Sequence, residues 1–284
     1  MLTFEKFMTE EYGELSEKLI TFAKQAYPKF GNIVIMAGGA GSGKGFIKDK
    51  LVGLEGFTFD VDALKSLASK TPAIIKKVKD ELGVDLSVLG ANLKTPENVG
   101  KLHEIIGEYL NLDDKRTQAL YASILTAAPD RKPNIIFDVT LKDLQKLEKI
   151  TRQVKGLGYD PKLVHIVWIV NDIEVAQKQN AARARVVPAE ILVNTHRGAA
   201  QTMLDIVNMG QSLKKYMDGD IVFAFNKVGV DSDLQKSGKG GSYVKTANYF
   251  YIKRSGMPVM ALDDINTDIR RKIADYVPKN TEWV

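Results

Sequence analysis

The chain has 284 residues, with 40 lysines and arginines against 35 aspartates and glutamates, so its formal net charge at neutral pH is +5. A hydrophobic share of 44% and a charged share of 26% are typical of a globular protein, which excludes collagen-like, coiled-coil and wholly disordered chains. Because cysteine is absent and only three histidines occur, disulfides, zinc-thiolate sites, iron–sulfur clusters and thiol nucleophiles are excluded, and a histidine-rich metal centre is not expected.

The N-terminal segment has the pattern of an amphipathic helix. Apolar residues recur at helical spacing between Thr9 and Ala26, and Pro28 ends the pattern. We therefore predict an N-terminal helical unit over residues 1–30. The first residues are acidic where a signal peptide is basic, and no apolar run is long enough to cross a bilayer. We expect a cytoplasmic protein that makes no membrane contact.

Short apolar runs alternate with helical patterns through the middle of the chain. Five of these runs are predicted strands, namely Asn32–Met36, Phe57–Asp60, Asn134–Asp138, Leu163–Val170 and Ile221–Phe225. Wholly apolar strands that alternate with helices predict a parallel sheet with helices on both faces. The predicted fold is therefore α/β, with a five-stranded parallel sheet in a core that spans residues 31–226.

Two segments depart from this alternation. Residues 63–132 separate the second and third strands and have the pattern of several helices, far more than a crossover needs. We predict a helical insertion there, and insertions at the carboxyl edge of a parallel sheet commonly shape the substrate pocket. Residues 227–284 form a small C-terminal extension, with one predicted strand at Tyr249–Lys253.

A glycine-rich loop between the first strand and the next helix carries the most specific chemical signal. The string GGAGSGKG fits the pattern G-x-x-x-x-G-K, in which backbone N–H groups surround phosphate oxygens and the lysine reaches the β- and γ-phosphates. The predicted nucleotide-binding residues are Gly38, Gly39, Ala40, Gly41, Ser42, Gly43, Lys44, Gly45 and Phe46. Gly45 stands where a serine or threonine hydroxyl usually contacts Mg²⁺, so Ser42 or water would have to replace that hydroxyl.

Three carboxylates follow predicted strands. Asp60 and Asp62 are candidates for the base that deprotonates an acceptor hydroxyl, because on an extended segment their side chains point the same way. The alternative is that Asp62 only caps the next helix. Asp138 ends the third strand in the manner of a Walker B aspartate, so Asp138 and Asp60 are the candidate Mg²⁺ ligands. Helix capping is again the alternative for Asp138.

Arg183 and Arg185 end the helix that follows the fourth strand. Arginines there can close over a triphosphate as a lid and offset the charge of the transferred phosphoryl group. The alternative is a basic helix end that is only solvated. His196 and Arg197, in the next helix, are secondary candidates.

In this order the segments resemble the zeta-toxin-like group of P-loop kinases, with a glycine loop similar to that of adenylate-kinase-like enzymes. The matching stretches are GGAGSGKG, FDVDALK, IIFDVT, the segment from Gly156 to Pro188, and DGDIVFAFN. The resemblance implies a P-loop kinase fold, a base at Asp60 or Asp62, ATP phosphate contacts from Arg183 and Arg185, and Asn226 near the adenine. The opening residues also resemble those of tailed-phage proteins, which would place the protein in a host cytoplasm.

Three functions are compatible with these features. The first is an ATP- and Mg²⁺-dependent phosphotransferase acting on a hydroxyl of a small molecule or nucleotide sugar, as the resemblance implies. The second is a polynucleotide or modified-base DNA kinase, since residues 227–260 combine six lysines and arginines with two aspartates and four tyrosine or phenylalanine residues. A lysine-protected edge hairpin explains that segment equally well. The third is a nucleotide-binding protein without catalysis.

Overall fold

The structure is a computed structural model, and it describes residues 27–52, 54–183, 186–226, 234–236, 242–244, 249–277 and 282–284. The helix predicted between Thr9 and Ala26 lies outside the described residues, and so does Arg185.

A six-stranded mixed sheet forms the centre of the fold. Its strands are β1 (Ile33–Ala37), β2 (Phe57–Phe59), β3 (Ile135–Asp138), β4 (Val164–Asn171), β5 (Ile221–Asn226) and β8 (Tyr249–Lys253), in the order β2-β3-β1-β4-β5-β8. The first five are parallel, as the sequence predicts, and β8 pairs antiparallel with β5. The strand predicted at Tyr249–Lys253 is therefore present, but it joins the main sheet as a sixth, antiparallel strand and covers the edge of β5. Strands β6 (Leu234–Lys236) and β7 (Ser242–Val244) form a separate antiparallel pair.

Helices cover both faces of the sheet. The helices outside the insertion are α1 (Lys44–Ile47), continued by a π-helical segment (Lys48–Val52), α7 (Leu144–Gly156), α8 (Ile173–Ala181), α9 (Ala189–Met209) and α10 (Thr267–Tyr276). Side chains alternate along β1, so that Ile33 and Ile35 pack in one cluster with α7, α9 and α10. Val34 and Met36 pack in the other cluster, against α1 and the π-helical segment. The all-apolar strands are explained by this two-sided burial.

The predicted helical insertion is present between β2 and β3. Its helices are α2 (Val61–Ala68), α3 (Pro72–Leu82), α4 (Leu86–Ala91), α5 (Pro96–His103), continued by a π-helical segment (Glu104–Tyr109), and α6 (Leu112–Leu125). Leu64, Val78, Leu86 and Leu102 belong to a small hydrophobic core of its own. Ile124 of α6 packs instead into the larger core beneath the sheet. The insertion is thus a helical layer attached at the carboxyl end of β2.

The end of the chain packs into the main core. Trp283 is completely buried, its ring stacks on Trp168 with centroids 5.5 Å apart, and it meets the ring of Phe223 edge-on at 5.7 Å. The indole Nε1 donates a hydrogen bond of 3.3 Å to the carbonyl oxygen of Ala200 in α9. These contacts join the C-terminus to β4, β5 and α9, so we expect it to contribute strongly to stability.

Replacing Trp283 with alanine should lower the free energy of unfolding by about 3–5 kcal/mol, because a large buried side chain is removed and a cavity remains. Val284, which is 76% exposed, provides the control, and Val284→Ala should change stability by less than about 0.5 kcal/mol. Chemical denaturation of both variants measures the difference. Equal stability of the two variants would contradict the packing described for Trp283.

The basic residues of the segment 227–260 are only partly described. Lys253 is buried, and its Nζ donates to Asp218 Oδ1 at 2.8 Å and to the carbonyl oxygens of Asp218 and Arg254. The guanidinium of Arg254 lies over the ring of Tyr251. The side chains of the other four lysines lie outside the described residues. Lys253 is therefore a structural residue and not a surface contact for phosphates.

Within the described residues, every helix is too short or too polar to cross a lipid bilayer.

Candidate active site

The glycine loop leaves the carboxyl end of β1 and leads directly into α1. Gly41 and Gly43 have φ values of +73° and +87°, a region that glycine enters without the steric cost of a Cβ atom. Lys44 folds back over the loop, where its Nζ donates to the carbonyl oxygens of Gly38 at 2.9 Å and Gly39 at 3.3 Å. The ammonium group is therefore held at the centre of the loop, as phosphate binding requires.

The neighbours of Lys44 face different surroundings. Ser42 is 1% exposed, and its Oγ lies so close to Gly38 that a Cβ there would be 2.8 Å from it. Gly45 is exposed, while Phe46 packs against the core beneath α1. The hydroxyl of Ser42 thus faces the interior of the loop, and the position after Lys44 has no side chain to offer a cation.

Asp60 and Asp62 both line the cleft above the loop, but the segment is not extended as the sequence analysis assumed. Helix α2 begins at Val61, and Asp60 is its cap, since Asp60 Oδ1 accepts from the backbone N–H groups of Asp62 at 2.8 Å and Ala63 at 3.2 Å. The capping role considered for Asp62 therefore belongs to Asp60. Asp62 lies in the first helical turn, half exposed, with Lys65 Nζ 3.9 Å from its Oδ1.

Asp138 ends β3 next to the glycine loop. Its Oδ1 lies 3.8 Å from Lys44 Nζ, and the side chain is 19% exposed. Burial raises the pKa of Asp138, with Asp60 adding to this effect and Lys44 opposing it. Burial likewise lowers the pKa of Lys44, which Asp138 opposes. The alternative of helix capping is wrong, because Asp143 caps α7 by accepting from the N–H of Lys146 at 2.9 Å.

Asp60 and Asp138 are the residues that could hold a magnesium ion. Burial first and then the charge of Asp60 raise the pKa of Asp138, and a bound cation would offset both effects. Mg²⁺ commonly uses one or two carboxylates together with substrate phosphates and water. The described residues contain no group of three or more acidic or histidine side chains that could bind a metal alone. The donor set therefore fits an ion that is shared with a phosphate substrate.

Arg183 lies in the loop between α8 and α9 and lines the same cleft. It is close enough to Lys44 to lower the pKa of that residue further. Asn180 fastens this loop, because its Nδ2 donates to Val187 O at 2.7 Å and its Oδ1 accepts from Val187 N at 3.0 Å. These two bonds join the end of α8 to Val187, and Val187 lines the cleft together with Arg183. The second predicted arginine, Arg185, is outside the described residues.

The cleft has a volume of about 670 Å³, within the range of small-molecule sites. One wall of the cleft lies between β3 and α7 and includes Thr140, Leu141 and Lys142, which no sequence motif indicated. Leu141 is buried with φ +52°, an uncommon conformation for a residue other than glycine, asparagine or aspartate. No local sequence pattern signals it, because Leu141 packs into the main core and the adjacent Thr140 O accepts from Gly38 N at 3.1 Å, both of which are tertiary contacts.

Four polar residues support the loop from beneath and from α9. Asn171, Asn226 and His196 donate side-chain hydrogen bonds to the carbonyl oxygens of Gly41, Ser42 and Ala40 respectively, and Thr195 Oγ1 accepts from Ala40 N at 3.3 Å. Asn226, which the resemblance implied near the adenine, is 1% exposed and contacts the loop backbone. Asn171 was missed, although it ends an apolar strand as Asn226 does.

Three of the basic residues in the insertion do not line the cleft. Lys101, His103 and Lys115 are exposed on helix surfaces. Arg116 of α6 instead donates to the carbonyl oxygens of Thr58 and Asp60 and lies over the Phe59 ring at 5.4 Å. Arg116 therefore joins the insertion to the end of β2, next to the candidate base.

The sheet order, with the glycine loop between β1 and α1, defines a P-loop kinase-like α/β fold. The family model described as Zeta toxin matches residues 108–224, so within this class the chain is zeta-toxin-like over that segment. The predicted resemblance is thereby confirmed for less than half of the chain. The comparison with curated proteins finds no significant match.

Solved structures agree with this fold. The AvrRxo1-ORF1:AvrRxo1-ORF2 complex, solved with sulphate ions and also with ATP, matches with a TM-score of 0.52 and 14% identity, over 98% of this chain and 72% of that chain. A structure from the PezAT toxin–antitoxin system of Streptococcus pneumoniae has a TM-score of 0.39 and 15% identity, over 78% of this chain and 76% of that chain, which is too weak a likeness to show a shared fold. The first likeness concerns the fold alone. The cytoplasmic location and the phage origin stay predictions.

His196 generates a prediction for the dependence of stability on pH. Burial lowers its pKa from 6.5 to about 4, with Lys44 adding to the effect, so the folded protein favours the neutral ring. As the pH is lowered from 6.5 to 4, only the unfolded state gains the proton. The free energy of unfolding should therefore decrease as the pH decreases, by up to about 3 kcal/mol once His196 is protonated in both states. In His196→Gln this contribution disappears.

Urea denaturation of the wild type, His196→Gln and His103→Gln between pH 7 and 4 measures the effect. The exposed His103 serves as the control, and its variant should follow the wild type. A pH dependence of His196→Gln that equals that of the wild type would contradict the assignment of a buried neutral ring.

Proposed function

We propose that the protein is an ATP-dependent phosphotransferase that moves the γ-phosphoryl group to a hydroxyl of a small-molecule acceptor. The observation that carries the proposal is the convergence of Lys44, Asp62, Asp138 and Arg183 on the single cleft beside the glycine loop. Phosphoryl transfer requires this combination, namely phosphate cradle, base and positive charge. The zeta-toxin match and the ATP complex of a protein with similar fold support ATP as the donor.

On the donor side, the loop backbone and Lys44 bind the β- and γ-phosphates. Lys44 exchanges its bonds to the carbonyl oxygens of Gly38 and Gly39 for bonds to phosphate oxygens. Arg183, from the loop between α8 and α9, offsets the charge that spreads over the transferred group. Asp138 and Asp60 are the residues that would hold a Mg²⁺ ion, which would supply further neutralisation of the phosphate oxygens.

On the acceptor side, Asp62 is the base. One carboxylate oxygen of Asp62 takes the proton of the acceptor hydroxyl while the acceptor oxygen forms a bond to the γ-phosphorus. The bond from that phosphorus to the β–γ bridging oxygen breaks, and ADP leaves with the electron pair. Asp60 is the weaker candidate for this role, because its Oδ1 already caps α2 and its charge acts on Asp138.

Nucleic acid is the less favoured acceptor. Of the six basic residues that suggested it, Lys253 is buried in an ion pair with Asp218, which removes one of the expected phosphate contacts. The non-catalytic hypothesis rests on the missing hydroxyl after Lys44. It is weakened by two carboxylates, Asp60 and Asp138, that fit Mg²⁺ without that hydroxyl.

The acceptor class can be tested with ATP labelled at the γ-phosphate, incubated with purified protein and Mg²⁺. We expect label to move to a small molecule in a metabolite extract and not to single-stranded or double-stranded nucleic acid. Label on nucleic acid would favour the second function. ATP binding without any transfer, in every extract tested, would favour the non-catalytic protein.

Asp62→Asn should retain ATP affinity and reduce transfer by about 10²- to 10⁴-fold, because the amide cannot accept the proton. Lys44→Ala should lose transfer together with ATP affinity. Asp85→Asn is the matched control, since Asp85 caps α4 outside the cleft and asparagine caps equally well. Transfer rates and ATP affinities of the three variants decide the assignment. Full activity of Asp62→Asn would exclude it as the base and leave Asp60.

A further inference from the structure

Three successive carbonyl groups of the glycine loop each accept a hydrogen bond from a buried side chain. Ala40 O lies 2.8 Å from His196 Nε2, Gly41 O lies 3.1 Å from Asn171 Nδ2, and Ser42 O lies 2.9 Å from Asn226 Nδ2. Because a carbonyl oxygen only accepts, the proton of His196 resides on Nε2. Every carbonyl of the loop apex is therefore held by a donor from elsewhere in the fold.

The three donors come from three different elements. Asn171 ends β4 and Asn226 ends β5, and the two are paired neighbours in the sheet register. Each is 1% exposed, and His196 of α9 is 4% exposed. Burying a polar side chain is costly unless it is hydrogen-bonded. The loop carbonyl oxygens meet this need for His196 and Asn226, whereas Asn171 Nδ2 also donates to Gln179 Oε1 at 3.3 Å.

Peptide planarity gives two of the three contacts a common consequence. In a trans peptide the C=O of one residue and the N–H of the next point in opposite directions. The donors on the carbonyl groups of Ala40 and Ser42 therefore direct the N–H groups of Gly41 and Gly43 away from His196 and Asn226 respectively. The N–H of Ser42 instead closes a turn onto Gly39 O at 3.3 Å.

We propose that Asn171, Asn226 and His196 are positioning residues that preset the loop backbone for phosphate, by fixing three consecutive carbonyl groups away from the anion. This inference rests on the proposed function. Its ligand is the polyphosphate chain of the nucleotide, and the adenine makes no contribution to it.

The glycines of the motif support the same conclusion. A Cβ on Gly39 would lie 2.1 Å from the His196 ring, and a Cβ on Gly43 would lie 2.0 Å from Asn226 Nδ2. A Cβ on Gly45 would meet nothing within 4 Å. Glycine is thus required at positions 39 and 43, because His196 and Asn226 approach the backbone there. Any larger residue would collide with these two side chains and prevent their hydrogen bonds to the loop.

The role of Asn226 can be tested by measuring Kd for ATP and for inorganic tripolyphosphate by calorimetry. Asn226→Leu, which keeps the volume and removes the donor, should weaken both ligands by the same factor of about 10 to 100. Asn171→Leu should act in the same direction. Weaker ATP binding with unchanged tripolyphosphate binding would overturn the inference and place Asn226 at the adenine.

A matched control separates positioning from general stability. Asn134 is also buried and also donates to backbone carbonyl oxygens, those of Lys29 and Glu55, but at the amino end of β3. Asn134→Leu should lower the melting temperature and leave both Kd values of the folded protein unchanged. If Asn134→Leu and Asn226→Leu change the two Kd values equally, the inference is overturned.

His196 offers a test by conservative replacement. His196→Gln retains an N–H donor, whereas His196→Met has similar length and no donor. We expect His196→Gln to bind tripolyphosphate within about threefold of the wild type and His196→Met to bind about tenfold more weakly. Equal affinities of the two variants would overturn the role of this contact.

The wild type and Lys44→Ala distinguish this inference from the proposed function. If the wild type binds neither ATP nor tripolyphosphate, both fail. If the wild type binds and Lys44→Ala does not, while Asn171→Leu and Asn226→Leu bind as the wild type does, only the inference fails. The inference is supported when the asparagine variants weaken both ligands and the Asn134 control does not.

Discussion

Parallel pairing around β1 is the constraint on which the site depends. Because β3, β1, β4 and β5 run in the same direction, their carboxyl ends meet at one edge of the sheet. The register pairs Met36 with Asp138 and Asn171 with Asn226, so the carboxylate and both amides lie next to the start of the loop. A shift of one residue would turn these side chains to the opposite face. The register therefore decides the chemistry of this edge.

The hydrogen-bond donors at this edge are bonded to the loop backbone. Lys44 contacts two loop carbonyl oxygens and lies beside Asp138, while Asn171 and Asn226 donate to the loop backbone. Among the described residues, the Oδ1 atoms of Asn171 and Asn226 and the hydroxyl of Ser42 are buried without a hydrogen-bond partner. The bonds that the donors do form offset part of the desolvation and restrain the geometry. A site organised in this way before its substrate binds loses little reorganisation energy during the reaction.

The C-terminal segment closes the sheet on the far side from β2. Strand β8 pairs with β5, Lys253 forms a buried ion pair with Asp218, and Trp283 stacks on Trp168. The net charge of +5 is therefore not evidence that this edge of the sheet binds an anionic partner, because the charge of Lys253 is neutralised by Asp218. At least one of the positive charges in this segment stabilises the fold.

Local patterns explain what could be predicted and what could not. The five parallel strands and the glycine loop were predictable from the sequence. Short apolar runs between helical patterns indicate the strands, and the G-x-x-x-x-G-K motif indicates the loop, and both signals lie within a few neighbouring residues. The geometry at Asp60 and Asp62 was not predictable. Whether the strand continues or a helix begins at Val61 depends on the hydrogen bonds by which Asp60 caps that helix. The conformation of Leu141 was not predictable either, because it accompanies burial in the main core and a hydrogen bond from Gly38 N to Thr140 O.

The sequence by itself determined the α/β class, the phosphate loop and the types of residue available for catalysis. Only the tertiary structure decided that Asn171, Asn226 and His196 hold the loop. Their carbonyl partners lie 130, 184 and 156 residues away along the chain. A hydrogen bond acts over about 3 Å, so such contacts exist only after parallel strand pairing and helix packing have brought the elements together.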